Sequence, residues 1–269
     1  MPALGEVQAR RTCLPTQIYL GNVALTGIAL DGFHWVEREA VEAVSAQVAI
    51  VAGAGGALGR ATATTLAARG LTVVAVDRNE QALRELPSGI RREVADATDQ
   101  AAAKSVTDRI AADVGPPDVL VNTIGTFRLG DALATTPETL RLMTDVNLAP
   151  ALWLSQASAA HMQQRGSGVI VHVSARPGIE PTAGMAAYSA SKAALVHLTR
   201  ILDVELRPHG IRVNAIVPQL LDSAANRANF PPEALAHAVA PEAIAEVIAF
   251  LVSDAAAPVS GAIIPAYGG

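Results

Sequence analysis

The fold class is decided by the stretch VAIVAGAGGALG, residues 48–59. Its apolar half, residues 48–51, is short, unbroken and followed by glycines, which is typical of a strand buried on both faces of a sheet. Residues 57–69 are rich in Ala, Leu and Thr and predict a helix, which Gly70 is placed to cap. The stretch therefore predicts a strand, a glycine-rich turn and a helix, the first unit of a parallel α/β sheet.

The glycine-rich turn has the chemistry of a dinucleotide site. Glycines let a backbone turn tightly and approach a pyrophosphate, and the next helix offers unpaired N–H groups and a positive dipole end. A glycine cluster alone is a weak signal, so the flanking strand and helix carry the prediction. We expect Gly53, Gly55, Leu58 and Gly59 to contact the dinucleotide.

Asp77 ends the second predicted strand, roughly twenty residues beyond the turn. A carboxylate there accepts hydrogen bonds from ribose hydroxyls and repels a 2′-phosphate, which predicts NAD rather than NADP as cofactor. Arg78 is a competing signal, because a cation at this point can receive that phosphate. The alternative reading is that Asp77 only caps the end of the strand.

The rest of the chain repeats the alternation of strand and helix. Further strands are predicted at residues 72–76, 92–94, 119–121, 169–173, 212–217 and 262–265. Further helices are predicted at residues 80–85, 101–114, 137–165 with a bend near Pro150, 187–206 and 241–252. This alternation predicts a single Rossmann-like, doubly wound α/β domain over residues 47–269, with a parallel sheet of about seven strands.

Residues 1–46 form an N-terminal extension outside this pattern. Turn signals at Gly21-Asn22 and Asp31-Gly32 flank short apolar runs. They predict a β-hairpin at residues 17–35 followed by a helix at residues 36–44. A poorly ordered tail is the alternative.

A second motif lies at the start of the predicted helix 187–206. Tyr188 and Lys192 are four residues apart, so their side chains share one helix face. A phenol has a reference pKa of about 10. Because a nearby ammonium favours the phenolate, we expect Lys192 to lower the pKa of Tyr188 and to prepare it for general acid/base catalysis.

The glycine turn, Asp77, Tyr188 and Lys192, taken in chain order, resemble the short-chain dehydrogenase/reductase family over residues 47–269. The resemblance implies that Tyr188 exchanges a proton with a small-molecule substrate while a hydride passes to or from a nicotinamide. It also implies a homodimer or homotetramer, and a substrate lid at residues 220–240. Other matching positions are Asp96 and Ala97 beside the adenine, Asn122 behind it, Asn147 as holder of a relay water, and Pro218 and Ser223 beside the nicotinamide.

The sequence departs from the family at the catalytic serine. Alignment on Gly178 and Tyr188 puts Ala175 at that position, and losing such a donor costs on the order of 10²–10³ in rate. Ser174 stands one residue early, and neighbours in an extended strand point to opposite faces. It is a catalytic candidate only if the strand bulges there. Gln219 also replaces a family glycine.

Three functions fit these residues. The leading hypothesis is an NAD(H)-dependent oxidoreductase that interconverts an alcohol and a ketone. Because of Ala175, the alternative is a non-redox enzyme of the same fold, a cyclase, dehydratase or isomerase, that uses Tyr188 as acid/base. The third hypothesis is a catalytically impaired nucleotide-binding scaffold. The presence of Tyr188, Lys192 and Asn147 argues against it.

Composition excludes several other classes of protein. Charged residues make up 17% of the chain, the net charge is -5 and the basic residues are scattered, so nothing indicates nucleic-acid binding. The sequence contains no run of about 20 apolar residues, so it predicts no membrane span. We expect a cytoplasmic protein. The single cysteine, Cys13, excludes an intrachain disulfide, and the histidines lack metal-ligand spacing, so we expect no metal.

Overall fold

The computed structural model describes residues 17–20, 23–26 and 47–268. The strands are β1 Gln17–Leu20, β2 Val23–Thr26, β3 Val48–Ala52, β4 Thr72–Asp77, β5 Arg91–Val94, β6 Val119–Asn122, β7 Gly168–Val173, β8 Ile211–Pro218 and β9 Ile263–Ala266. The helices are α1 Ala57–Ala68, α2 Glu80–Arg84, α3 Gln100–Asp113, α4 Pro137–Asn147, α5 Ala149–Arg165, α6 Ala186–Leu206, α7 Ala224–Asn229, α8 Pro232–Leu235 and α9 Pro241–Val252. None of these helices is both long and apolar enough to cross a lipid bilayer, a finding that covers the described residues alone.

Strands β3 to β9 form one seven-stranded sheet in the order β5-β4-β3-β6-β7-β8-β9, and every pair is parallel. The predicted Rossmann-like fold with about seven parallel strands is therefore confirmed. The strand order reverses between β3 and β6. In open α/β sheets, ligands bind outside the carboxyl ends of the strands at such a point.

The side chains of β3 alternate between two cores. Ala49 and Val51 pack with apolar side chains of α1 and α9, whereas Ile50 and Ala52 pack with those of α3, α5 and α6. All four are fully buried. Because helices cover both faces of the sheet, both faces need apolar residues, which explains the unbroken apolar run of this strand.

The predicted helix over residues 137–165 is two helices rather than one bent helix. Helix α4 ends at Asn147 and α5 begins at Ala149, with Leu148 between them. Pro150 lies in the first turn of α5. Its missing N–H costs nothing there, whereas inside a continuous helix its ring would clash with the preceding turn. The break leaves Asn147 at a helix C-terminus.

The N-terminal strands β1 and β2 form an antiparallel pair of their own. Gln17 pairs with Thr26 at one end and Leu20 with Val23 at the other. The pair lies within the range predicted as a hairpin. The remainder of that range, and the predicted helix at residues 36–44, lie outside the described residues.

Candidate active site

The turn after β3 is held against β4 by its backbone. The N–H groups of Gly53 and Ala54 donate to the carbonyl oxygen of Val76 at 2.8 and 3.2 Å. Gly53 has a φ of +80°, which side-chain-bearing residues rarely adopt. In the first turn of α1, a Cβ on Gly59 would lie 2.1 Å from the carbonyl oxygen of Gly53. Only glycines therefore allow this bare backbone surface at the N-terminus of α1, which suits a pyrophosphate.

Asp77, the last residue of β4, contacts that turn. Its Oδ2 accepts the N–H of Gly55 and its Oδ1 accepts the N–H of Asn79, both at 2.9 Å. A Cβ on Gly55 would lie 3.0 Å from Oδ2 of Asp77, so the close approach depends on glycine. Each carboxylate oxygen keeps a lone pair for a further donor. The carboxylate can therefore accept hydrogen bonds from ribose hydroxyls at this point.

Arg78, Asp96 and Ala97 lie near the ends of β4 and β5. The Nη1 of Arg78 is 3.7 Å from the Oδ2 of Asp96, and both side chains are exposed. Thr98 donates its hydroxyl and its N–H to Oδ1 of Asp96 at 2.7 and 3.0 Å. These bonds to Thr98, together with the charge of Arg78, lower the pKa of Asp96. Ala97 is buried beneath this surface.

Asn122 closes β6 and is buried. Its Oδ1 accepts the N–H of Ile124 at 3.2 Å. The hydroxyl of Thr123 donates to the carbonyl oxygen of Ala52 at 2.8 Å, which joins the end of β6 to the end of β3. The loop that follows β6 therefore starts from a fixed point beside the glycine turn.

Asn147 is connected to both that loop and helix α6. Its Oδ1 accepts the N–H of Thr126 at 2.8 Å, and its Nδ2 donates to the hydroxyl of Ser191 at 3.0 Å. The side chain is fully buried. Its orientation is thus fixed at both ends of the amide.

Gly125 lies where Lys192 and Asn147 come together. A Cβ on Gly125 would be 3.1 Å from the Nζ of Lys192 and 3.2 Å from the Oδ1 of Asn147. Gly125 and Thr126 are absent from the residues predicted from the sequence. The signal that would have found Gly125 is a glycine three residues after Asn122, in a loop at the carboxyl end of a central strand.

Lys192 is buried and Tyr188 is partly buried, and the loss of water shifts both pKa values. The Nζ of Lys192 donates to the carbonyl oxygen of Val173 at 3.0 Å. Burial lowers the pKa of the Lys192 ammonium to about 8 and raises the pKa of the Tyr188 phenol to about 12. The expected lowering of the Tyr188 pKa is therefore wrong in direction, because burial of the phenol disfavours its charged form.

Ser174 and Ala175 follow β7 and present different groups. The hydroxyl of Ser174 donates to the backbone carbonyl of Lys192 at 2.9 Å. Ala175 has extended backbone with φ of -161° and ψ of 157°, and its methyl group offers no hydrogen bond. The turn after them packs closely on α6, because a Cβ on Gly178 would lie 2.8 Å from the carbonyl carbon of Lys192.

A cavity of about 670 Å³ opens above these residues. Five of the predicted site residues line it, namely Leu58, Ser174, Tyr188, Lys192 and Pro218, and Ala175 lines it as well. Ser223 lies at the start of α7, where its hydroxyl accepts the N–H of Asn226 at 3.2 Å, and Asn226 lines the cavity as well. The cavity thus joins Tyr188 and Lys192 to the end of β8.

The chain matches the family model for short chain dehydrogenases over residues 47–234. The cis-4-hydroxycyclohexanecarboxylate dehydrogenase of Sinomonas cyclohexanicum is 36% identical over 247 residues, which cover 85% of this chain and 98% of that protein. The meso-2,3-butanediol dehydrogenase of Serratia marcescens is 32% identical over 238 residues, which cover 83% of this chain and 94% of that protein. Among solved structures, NAD+-bound xylitol dehydrogenase matches with a TM-score of 0.77 and 26% identity, over 83% of this chain and 98% of that one.

Proposed function

The chain belongs to the short-chain dehydrogenase family, and on that premise we propose that it is an NAD(H)-dependent oxidoreductase that interconverts an alcohol and a ketone. One observation supports the proposal above the others: the Nζ of Lys192 and the Oδ1 of Asn147 flank Gly125 at the cavity that Tyr188 lines. A phenol, an ammonium and an amide close together are suited to proton transfer. The relatives are named as dehydrogenases, which favours hydride transfer over the non-redox alternative.

The residues of the glycine turn fit a nicotinamide dinucleotide, since Gly53 has a positive φ and a Cβ at Gly59 would clash with its carbonyl group, so that glycines alone let the turn pack its backbone against the start of α1. When bound, the nicotinamide supplies or accepts the hydride. The residues that would hold the cofactor are Gly53, Gly55, Leu58 and Gly59 at the pyrophosphate, Asp77, Asp96, Ala97 and Asn122 at the adenosine, and Lys192, Pro218 and Ser223 at the nicotinamide riboside.

We favour NAD over NADP because of the charges at the end of β4. The Asp77 carboxylate would repel a 2′-phosphate. Arg78, the cation that could receive that phosphate, lies 3.7 Å from the carboxylate of Asp96. Recruiting Arg78 to a phosphate would therefore compete with an existing ion pair.

Tyr188 is the proposed proton carrier. In reduction its hydroxyl donates a proton to the substrate oxygen, and in oxidation its phenolate removes that proton. Because burial holds the pKa of Tyr188 at about 12, the phenolate needs the positive charge of Lys192 beside it. Asn147, oriented by Thr126 and Ser191, is the proposed holder of a water that relays the proton.

Ala175 removes one hydrogen-bond donor from the substrate oxygen. The hydroxyl of the preceding residue, Ser174, donates to the backbone carbonyl of Lys192. The substrate oxygen therefore depends on Tyr188 for its hydrogen bond. The missing donor is expected to cost on the order of 10²–10³ in kcat.

The test of hydride transfer is the loss of NADH absorbance with a panel of cyclic and open-chain ketones, paired with product analysis. Tyr188→Phe should lower kcat/KM by about 10²–10⁴ while NADH binding, followed by fluorescence, is retained. Tight NADH binding without turnover of any ketone or alcohol would contradict the proposal. Product formed without cofactor oxidation would favour the non-redox alternative.

We also propose that the protein is a homodimer or homotetramer in the cytoplasm. Leu142 on α4, and Ile201 and Val204 on α6, are exposed to 38%, 41% and 72%, and apolar side chains of this kind are stabilised when a second subunit covers them. The single cysteine leaves no intrachain disulfide of the sort that secreted proteins use. Light scattering tests the oligomeric state, and a monomer in solution would overturn that proposal. Cell fractionation tests the cytoplasmic location.

A further inference from the structure

Aromatic side chains are concentrated at the cavity. Aromatic residues make up 3% of the chain, yet Phe127, Tyr188 and Phe230 form one continuous wall. The rings of Phe127 and Phe230 stack with centroids 5.4 Å apart, and Phe127 meets Tyr188 edge-on at 6.4 Å. A flat apolar wall that includes the proton donor suits a ring in the substrate.

A fixed cation lies in the same cavity. Arg176 follows Ala175 directly, and its Nε donates to the Oε2 of Glu180 at 2.6 Å. Its Nη1 donates to the Oε1 of Gln219 at 3.2 Å, and its guanidinium carbon stands 4.7 Å from the centre of the Tyr267 ring. These contacts orient the side chain in advance, so a ligand that binds it pays little for ordering it.

The guanidinium of Arg176 keeps donors that the protein does not use. It has five N–H donors, and Glu180 and Gln219 accept one each. Within the part of the chain that the structure describes, no residue accepts a hydrogen bond from Nη2. Arg176 lines the cavity and its side chain is 43% exposed, so these donors remain available to a ligand there.

Glu180 holds Arg176 without using those remaining donors. Its Oε2 accepts from Arg176 and its Oε1 accepts the hydroxyl of Tyr267 at 3.0 Å. The bonds from Arg176 and Tyr267 lower the pKa of Glu180, so it stays ionised at neutral pH. Because the ion pair has little net charge, recognition through Arg176 depends on directed hydrogen bonds. A carboxylate, which accepts two parallel N–H bonds, matches that requirement.

We propose that Arg176 binds an acid group of the substrate, and that the substrate is a cyclic hydroxy or oxo acid whose ring lies against Phe127 and Phe230. The proposal rests on the proposed function for the reaction at the substrate oxygen. Binding of the acid group does not itself require hydride transfer. Arg176 is thus a specificity-determining residue. In the chain it directly follows Ala175, whereas Ser174 directly precedes Ala175.

Redox-inert probes test this binding directly. Cyclohexanecarboxylate and cyclohexanecarboxamide share one ring and differ in charge, and calorimetric titration with and without NADH compares them. The wild type should bind the carboxylate about tenfold or more tightly, as charge-assisted hydrogen bonds confer. Arg176→Gln should abolish the preference. The matched control Arg141→Gln removes an exposed arginine paired with Glu138 on its own helix, and should keep the preference in full.

Arg176→Lys provides a second variant for the case in which Arg176→Gln does not fold, which thermal melting reveals. It keeps the charge but cannot present a planar pair of donors, so the preference should weaken. Equal binding of the two probes by the wild type, or a preference unchanged in both variants, overturns the proposal.

Turnover separates this proposal from the proposed function. If 3- and 4-oxocyclohexanecarboxylate are reduced no better than cyclohexanone, hydride transfer stands and recognition of the acid group is overturned. If no ketone is reduced while the carboxylate still binds through Arg176, the acid-binding proposal is supported and the proposed oxidoreductase function fails.

Discussion

The Nζ of Lys192 donates to the carbonyl oxygen of Val173 at 3.0 Å, so the buried ammonium is anchored to the last residue of β7. Burial lowers the pKa of that ammonium to about 8. The charge that would stabilise a Tyr188 phenolate is therefore held in one place, but it is lost only slightly above neutral pH.

This relationship predicts how ketone reduction depends on pH. Lys192 carries its charge below a pKa of about 8 and is neutral above it, whereas Tyr188, with a pKa of about 12, keeps its proton throughout. We expect kcat/KM to fall as pH rises through about 8. The measurement is a pH profile of ketone reduction, and Lys192→Met should give a low, level profile. A wild-type rate that holds steady well above this pKa would contradict the prediction.

Ala175→Ser should make the enzyme faster. The backbone at Ala175 is extended, a conformation that serine adopts without strain, and its hydroxyl would add a donor for the substrate oxygen. We expect kcat to rise about tenfold or more, a part of the 10²–10³ that one such donor supplies elsewhere. Steady-state kinetics with the best ketone of the panel checks this. A kcat that is unchanged or lower would mean that another group already serves the substrate oxygen.

Ser174→Ala is the matched test of the neighbouring residue. The hydroxyl of Ser174 donates to the backbone carbonyl of Lys192, so its loss should cost about 1 kcal/mol of unfolding free energy. We expect kcat to change only severalfold. Denaturant unfolding and kinetics on the same variant separate the two effects. A loss of activity near a hundredfold in a folded variant would make Ser174 a catalytic residue after all.

Sequence periodicity was sufficient to predict the parallel sheet, because apolar strands that alternate with helices are compatible with few topologies. The last helix was predicted at residues 241–252 and is observed as Pro241–Val252. Arg176 was missed because its role depends on Gln219, 43 positions away. The predicted shift in the pKa of Tyr188 had the wrong direction. The spacing of the sequence reveals the neighbouring Lys192, but it does not reveal the loss of water around the phenol.

Asp77→Asn should relax the preference for NADH over NADPH. The change removes a charge at the end of β4 but keeps an oxygen that can accept the N–H of Gly55. Because like charges placed together cost several kcal/mol, the ratio of kcat/KM for NADPH to that for NADH should rise about tenfold or more. Asp113→Asn, at the exposed end of α3, is the control and should leave the ratio unchanged. A wild-type enzyme that already prefers NADPH would contradict the proposal that NAD is the cofactor.

Gly125→Ala should damage activity more than stability. The new Cβ would stand 3.1 Å from the Nζ of Lys192 and 3.2 Å from the Oδ1 of Asn147, so one or both must move by a few tenths of an ångström. Since a misplacement of about 1 Å can cost about 10² in rate, we expect kcat to fall about tenfold. Gly89→Ala is the control, because a Cβ there meets nothing within 4 Å. Kinetics and thermal melting of both variants give the comparison. Equal activity of the two variants would show that Lys192 and Asn147 need not meet at Gly125 for proton transfer.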